Sequence, residues 1–314
     1  MHNQLGTAMK RTLNLFFMLT LVVFFSAMAM SPRVVPGFYV EWPNHNGIPT
    51  MLEVGNRLEC IHSPFQKIEL YQTTQFGTMM VIDDVIMLTQ RDNAGYHEMA
   101  AHVPLIAHPN PKKVLVVGGG DGGTITQVLK HSSVREVVLC EIDQTVIDLS
   151  KKYFPEFAPS FDNPRVTIVV EDAAHYIKTQ KDQFDVICVD STDPFGPGEA
   201  LFTEEFYKDI AAALTEDGIA VTQSESMFLY TDLIAKLYAY NRAMFAYASY
   251  YYTVVPTYPG GTIGFSFCSK KHNPFDHIDA QRIAALGALD YYNEGMHRAS
   301  FQLPQFLIDR LVTG

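Results

Sequence analysis

The sequence predicts a doubly wound α/β domain preceded by a small antiparallel β domain. Two patterns carry this. From Lys112 onward, strand-like and helix-like segments alternate, as in a largely parallel sheet covered on both faces. Residues 37–90 instead show short apolar or alternating runs separated by turn signals, with no helical period. A third observation concerns function. A glycine-rich turn closes the first strand of the alternating part, and ligands of such sheets sit at the C-terminal strand ends.

The elements follow in order. GFYVEW, RLECIH, QKIELYQT and TMMVIDD read as strands, with turns at residues 44–47 and at Phe76-Gly77. Tyr96, Met99, Ala100, Val103 and Ile106 share one side of a helix over 91–108, ended by Pro109 and Pro111. The alternating part reads KVLVV, a helix over 124–131, EVVLC, a helix through Tyr153, RVTIVV, a helix over 173–179 and FDVICVD. It continues with a helix over 204–214, GIAVTQS, a helix over 231–245, then ASYYYTVV and TIGFSFCS as strands. A last helix is expected over 279–289, followed by a tail. The expected organisation is a leader over 1–30, a β domain with its connecting helix over 31–108, and a catalytic domain over 109–314.

Composition limits the function classes. The chain has 314 residues, 47% apolar, enough for a substantial core. Its formal charge of −11 argues against a nucleic-acid partner and suits cationic ligands. The four cysteines form no CxxC pair and read as reduced, structural thiols. No His-rich metal spacing occurs, so no metal is expected. Lys10 and Arg11 precede an apolar run over 13–30. That run supports three readings: a secretory signal, a membrane anchor, or an over-extended start before Met28 or Met30. Membrane contact is expected only if residues 13–30 are retained. The expected location is the cytoplasm, with membrane association or export as the alternative.

Gly118-Gly119-Gly120-Asp121-Gly122-Gly123 follows the first α/β strand and opens a helix. Its glycines allow a tight turn and close backbone approach to a ligand. The spacing of Gly118, Gly120 and Gly123 satisfies GxGxxG, a dinucleotide pattern; a ligand-free βα turn is the plain alternative. Asp121 in mid-loop opposes a pyrophosphate and suits a cation. Glu141 ends the second strand, where a carboxylate can take both ribose hydroxyls. Asp172 ends the third, where S-adenosyl-type sites meet the adenine amino group. Asp121, Glu141 and Asp172 at successive strand ends together favour a nucleoside ligand.

The fourth strand ends in Asp190-Ser191-Thr192-Asp193-Pro194-Phe195-Gly196-Pro197. Asp190 and Asp193 join Asp121 at one opening, and neither loop contains Lys or Arg. Like charges so close raise one another's pKa unless a cation lies between them. A diamine or alkylammonium meets that need. Turn capping by Asp193 is the structural alternative.

HPNPKKVLVVGGGDGG, LCEID, FDVICVDSTDPFGP, LFTEEFY, QSES and VPTYPGG together resemble the spermidine synthase family, in that family's order. SPFQKIELY, RDNAGYHEM and YYNEGMHRASFQLPQF extend the similarity over about residues 37–310. The resemblance implies a Rossmann-like, S-adenosyl-methyltransferase-type α/β sheet behind a small antiparallel β domain, and an aminopropyltransferase with decarboxylated S-adenosylmethionine as co-substrate, no cofactor, putrescine as usual acceptor, and a homodimer or homotetramer. It implies that Gln66, Gly118, Gly120, Glu141, Asp172, Ala173 and Pro197 hold the methylthioadenosine part. Tyr96, His97, Asp121, Asp193, Gln223 and Tyr258 are implied for the amine pocket, and Asp190 for catalysis. Ala173 replaces a usual glycine, and Gln90-Arg91-Asp92-Asn93-Ala94 replaces ERDEF, losing two carboxylates. Trp42 and Phe228 fit either an amine wall or core packing. Cadaverine, agmatine and spermidine are alternative acceptors. A methyltransferase is the rival enzyme, and a non-catalytic polyamine binder the rival without chemistry.

Overall fold

The computed structural model describes residues 34–42 and 48–313. The apolar run and the predicted turn at residues 44–47 therefore lie outside the described residues. Among those described, no helix is long and apolar enough to cross a membrane.

The first sheet is a six-stranded antiparallel meander, β1 Val34–Val35, β2 Phe38–Glu41, β3 Thr50–His62, β4 Lys67–Thr73, β5 Thr78–Ile82 and β6 Val85–Thr89, paired in sequence order. TMMVIDD is not one strand. Asp83 and Asp84 form the two-residue turn between Ile82 and its partner Val85, with φ of 45° and 71°. Two positive φ values match the twist of a tight hairpin. Asp-Asp lacks the glycine that usually announces such a turn, so sequence reading missed both turn and following strand.

The helix α1 (Asn93–Ala107) leads into the second sheet, of order β12-β13-β11-β10-β7-β8-β9. Its strands are β7 Lys113–Gly118, β8 Glu136–Glu141, β9 Val166–Val170, β10 Phe184–Asp190, β11 Leu214–Gln223, β12 Tyr247–Val254 and β13 Thr262–Ser269. Strands β7 to β11 run parallel, and β13 is antiparallel to both β11 and β12. This is the predicted doubly wound, Rossmann-like sheet behind a β domain. Alternation along β7 divides the core: Leu115 and Val117 pack on one face, Val114 and Val116 on the other. The helices between are α2 Gly123–Val128, α3 Gln144–Tyr153, α4 Ala158–Phe161, α5 Ala173–Tyr176, α6 Glu204–Ala213 and α7 Thr231–Met244.

The C-terminal segment departs from expectation. The helix expected over 279–289 covers only α8 (Ala280–Ala284), and the expected tail holds α9 (Glu294–Ala299) and α10 (Gln305–Thr313). Asn293 caps α9 by accepting from the Met296 N–H. Both helices are under three turns, too short for a clear period.

The two sheets meet through α3. Val146, Leu149 and Phe154 of that segment pack against Ile68, Leu70, Met80, Ile82 and Leu88. This contact sets the antiparallel sheet as a roof over the C-terminal ends of β7, β8, β10 and β11.

Candidate active site

One cleft lies between roof and strand ends. Its wall includes every sequence-predicted site residue except His97: Asp190, Tyr96, Asp121, Asp193, Gln223, Tyr258, Gln66, Gly118, Gly120, Glu141, Asp172, Ala173 and Pro197. It sits where β7 has β8 on one side and β10 on the other, the switch point at which such sheets bind ligands. The two loops at this point touch. The N–H of Gly119 donates to the Asp190 carbonyl at 2.9 Å. A Cβ on Gly118 (φ +70°) would lie 2.2 Å from that same carbonyl oxygen, so only glycine fits there.

At the nucleoside end, Glu141 is buried and accepts from the N–H groups of Gly120 (3.1 Å) and Asp143 (2.9 Å). Burial nonetheless pushes its carboxyl up to about 7. Gln66 reaches in from the roof, donating to Asp143 at 3.0 Å; Asp143 also accepts from Ser63 at 2.6 Å. Asp172 is exposed and caps α5 through the Ala174 N–H. Ala173 opens that helix without positive φ, so its methyl, where glycine is usual, brings no backbone strain.

The amine end gathers acids. Asp190, at the end of β10, accepts from the Thr124 hydroxyl at 2.6 Å and interacts with the Tyr96 hydroxyl. Burial first, and the charge of Asp121 second, push its carboxyl up to about 6. Burial also pushes Asp193 up to about 6. Asp121 behaves oppositely. Burial would raise it, but His97 and the Gly123 N–H (2.6 Å) outweigh that and hold it below the usual range. The Tyr258 ring faces the cleft while its hydroxyl donates to the Met87 carbonyl in the roof at 2.5 Å.

His97 needs a correction. It stands behind Asp121, with Nε2 3.2 Å from Oδ1, rather than on the cleft wall. Its ring fills the space a side chain at 123 would need: a Cβ on Gly123 would lie 2.1 Å from the His97 Cε1. Sequence reading also missed Glu225, which is buried on the cleft wall at φ +66°. It accepts from Gln223 Nε2 at 3.1 Å, and burial followed by the charge of Asp193 raises it well above the usual range. QSES contains it, and its carboxylate was the available signal. Trp42 lines the cleft with Glu41 and is not core. Phe228 is neither: it is exposed and packs on Phe306.

Among the described residues the cleft wall carries seven carboxylates, namely Glu41, Asp121, Glu141, Asp172, Asp190, Asp193 and Glu225, and no Lys or Arg. Gln223 Oε1 and Ser191 Oγ are buried without a hydrogen-bond partner. The arrangement is built to accept protons and hydrogen bonds from a cationic guest. A separate His108, Asp217 and His272 group is poorly prepared for a metal. The Asn110 N–H donates to His108 Nδ1 at 3.2 Å, which puts the neutral ring's proton on the Nε2 that faces Asp217.

Known proteins carry the same architecture. Residues 93–277 match the spermine/spermidine synthase domain, and residues 40–90 match the spermidine synthase tetramerisation domain. The polyamine aminopropyltransferase of Leptospira biflexa serovar Patoc is 48% identical over 254 residues, covering 81% of this chain and 90% of that protein. The spermidine synthase of Dictyostelium discoideum is 41% identical, covering 89% and 99%. The crystal structure of a spermidine synthase with the transition-state analogue AdoDATO superposes with a TM-score of 0.85 at 38% identity, covering 88% and 95%. The spermidine synthase of Thermotoga maritima gives 0.83 at 38% identity, covering 88% and 94%. The relatives that share this chain's sequence and doubly wound sheet are enzymes that transfer aminopropyl groups to amines. The chain belongs to the spermidine synthase family of polyamine aminopropyltransferases.

Proposed function

We propose that this enzyme transfers the aminopropyl group of decarboxylated S-adenosylmethionine to putrescine, giving spermidine and methylthioadenosine. The observation that supports it most is the amine end of the cleft: among the described residues, Asp121, Asp190, Asp193 and Glu225 with no cationic side chain on the wall and an unpartnered Gln223 Oε1.

In this reading Glu141 takes the ribose hydroxyls, Asp172 meets the adenine edge, and Gln66, Gly118, Gly120, Ala173 and Pro197 complete the nucleoside site. Asp121 holds the donor's propylammonium. Asp193 and Gln223 hold the far end of the diamine between Tyr96 and Tyr258, whose faces attract ammonium groups. An alkylamine arrives protonated, with a pKa of about 10. Asp190 takes the proton from the attacking nitrogen, directly or through water and Tyr96. The nitrogen lone pair forms the new N–C bond as the C–S bond breaks. That bonding pair returns to sulfur, leaving a neutral thioether. The sulfonium is itself the activated leaving group, so the reaction calls on no cofactor. Orientation of both amines in line can contribute about 7–11 kcal/mol.

Several lesser readings belong to the same proposal. The match to a tetramerisation domain supports a homo-oligomer, tested by sedimentation equilibrium. A cytoplasmic location is tested by fractionating cells that express all 314 residues. The decisive experiment incubates the enzyme with decarboxylated donor and a panel of putrescine, cadaverine, agmatine and spermidine, recording product masses. Spermidine and methylthioadenosine as main products support the proposal. Preference for another amine overturns the acceptor, and S-adenosylhomocysteine formed from the ordinary donor overturns the reaction.

A further inference from the structure

We propose that Asn93 is a positioning residue for the transfer: its amide oxygen holds the His97 ring doubly protonated, and that imidazolium keeps Asp121 ionised and in place at the cleft wall. This rests on Asp121 being an amine-side carboxylate.

Asn93 is the first residue of α1. Its Nδ2 donates to the Gln90 carbonyl at 2.7 Å, which fixes the amide's orientation and turns Oδ1 toward the ring. Oδ1 lies 3.4 Å from His97 Nδ1. On the other side, Nε2 lies 3.2 Å from Asp121 Oδ1, an oxygen that also accepts from the Gly123 N–H. Both ring nitrogens therefore face oxygens that only accept. A neutral imidazole carries one N–H and satisfies one of them; the imidazolium satisfies both.

The surroundings agree. The His97 side chain is 3% exposed. Gly123 of α2 closes one side and the Phe157 ring stands edge-on at 5.6 Å. Asp121 after β7, Asp190 at the end of β10 and Glu98 on α1 itself all favour the cation. Tyr96 on α1 lies edge-on to it. Burial opposes the charge, yet these acids outweigh it and raise the ring above its ordinary range. The cation sits one layer behind the wall, so the cleft keeps its negative face. It also accounts for Asp121 being held down, and it lowers Asp190 too, where burial and the charge of Asp121 outweigh it.

The test reads the protonation of the His97 ring by NMR of selectively labelled histidine in the unliganded enzyme and in Asn93→Leu and Asn93→Asp. In the wild type most rings carry protons on both nitrogens at pH 6.5, about the ordinary imidazole midpoint. Asn93→Leu lowers the ring's titration midpoint by about one unit, the size expected for one hydrogen bond to a charged group. Asn93→Asp keeps the acceptor but cannot donate to Gln90, so it retains the doubly protonated ring. In Asn93→Leu the alkaline limb of the kcat/KM profile shifts down with the midpoint. A wild-type ring that is mostly singly protonated at about pH 6.5 overturns the proposal. So does Asn93→Asp behaving as Asn93→Leu, which would reduce Asn93 to a helix-start contact. Should Asn93→Leu not fold, the other two spectra decide. If the wild type turns over no amine, the reaction reading fails while the ring result still stands.

Discussion

The two ends of the cleft treat their acids differently. At the nucleoside end, burial raises Glu141, but it accepts two backbone N–H groups that oppose the shift, and the exposed Asp172 caps a helix. The protein itself supplies these partners before any ligand arrives. At the amine end, burial raises Asp190, Asp193 and Glu225 alike, and the charge of Asp121 adds to it at Asp190 and that of Asp193 at Glu225. There the chain leaves much of the neutralising charge to its ligands. The first end is preorganised for a neutral, hydrogen-bonding guest. The second is held under electrostatic stress that a polyamine relieves.

The sharpest break in this comparison is Asp190→Asn. Turnover should fall by about 100-fold or more, as for loss of a general base, while calorimetric affinity for methylthioadenosine stays near normal. Near-normal turnover would remove Asp190 from the base role. Next in size, Glu141→Gln should weaken methylthioadenosine binding by about 10- to 100-fold with little change in turnover at saturation. Equal losses in both quantities would erase the division between the ends. Asp121→Asn should then narrow the preference for decarboxylated over ordinary S-adenosylmethionine by about tenfold, because repulsion of the ordinary donor's carboxylate is lost. Unchanged relative affinities by calorimetry would refute that.

The smallest effect concerns stability. Asp190 is raised from 3.8 to about 6 in the folded chain. The folded state thus holds a proton there that the unfolded state has released, and the contribution of Asp190 to stability falls as pH rises from about 4 through about 6. Asp190→Asn should melt within error of wild type at pH 4 and a few degrees higher at pH 8. A melting gap that does not change with pH would show that Asp190 carries no such stress.

Much of the site was legible because it is local. GGGDGG follows a strand of buried aliphatics, and its turn needs glycine for reasons confined to two neighbouring loops. Asp190 closes a strand whose apolar pattern is equally plain. Legibility failed where position depends on distant packing. His97 shares its helix with Tyr96, yet one lines the cleft and the other stands behind it, because the missing side chain of Gly123 admits the imidazole. Glu225 became part of the wall through a positive φ, which its residue type does not announce. Trp42 was ambiguous because an indole serves a core and a roof equally well.

By itself the amino-acid order determined the doubly wound sheet, the glycine turn and the acids at its strand ends, since strand periodicity and turn chemistry act over a few residues. Only the tertiary structure decided which acids share charge, which one a histidine neutralises from behind, and how the antiparallel sheet closes over them. Those outcomes depend on burial and on distances of a few ångströms between segments far apart in the chain, and electrostatics in a low-dielectric interior is sensitive to both.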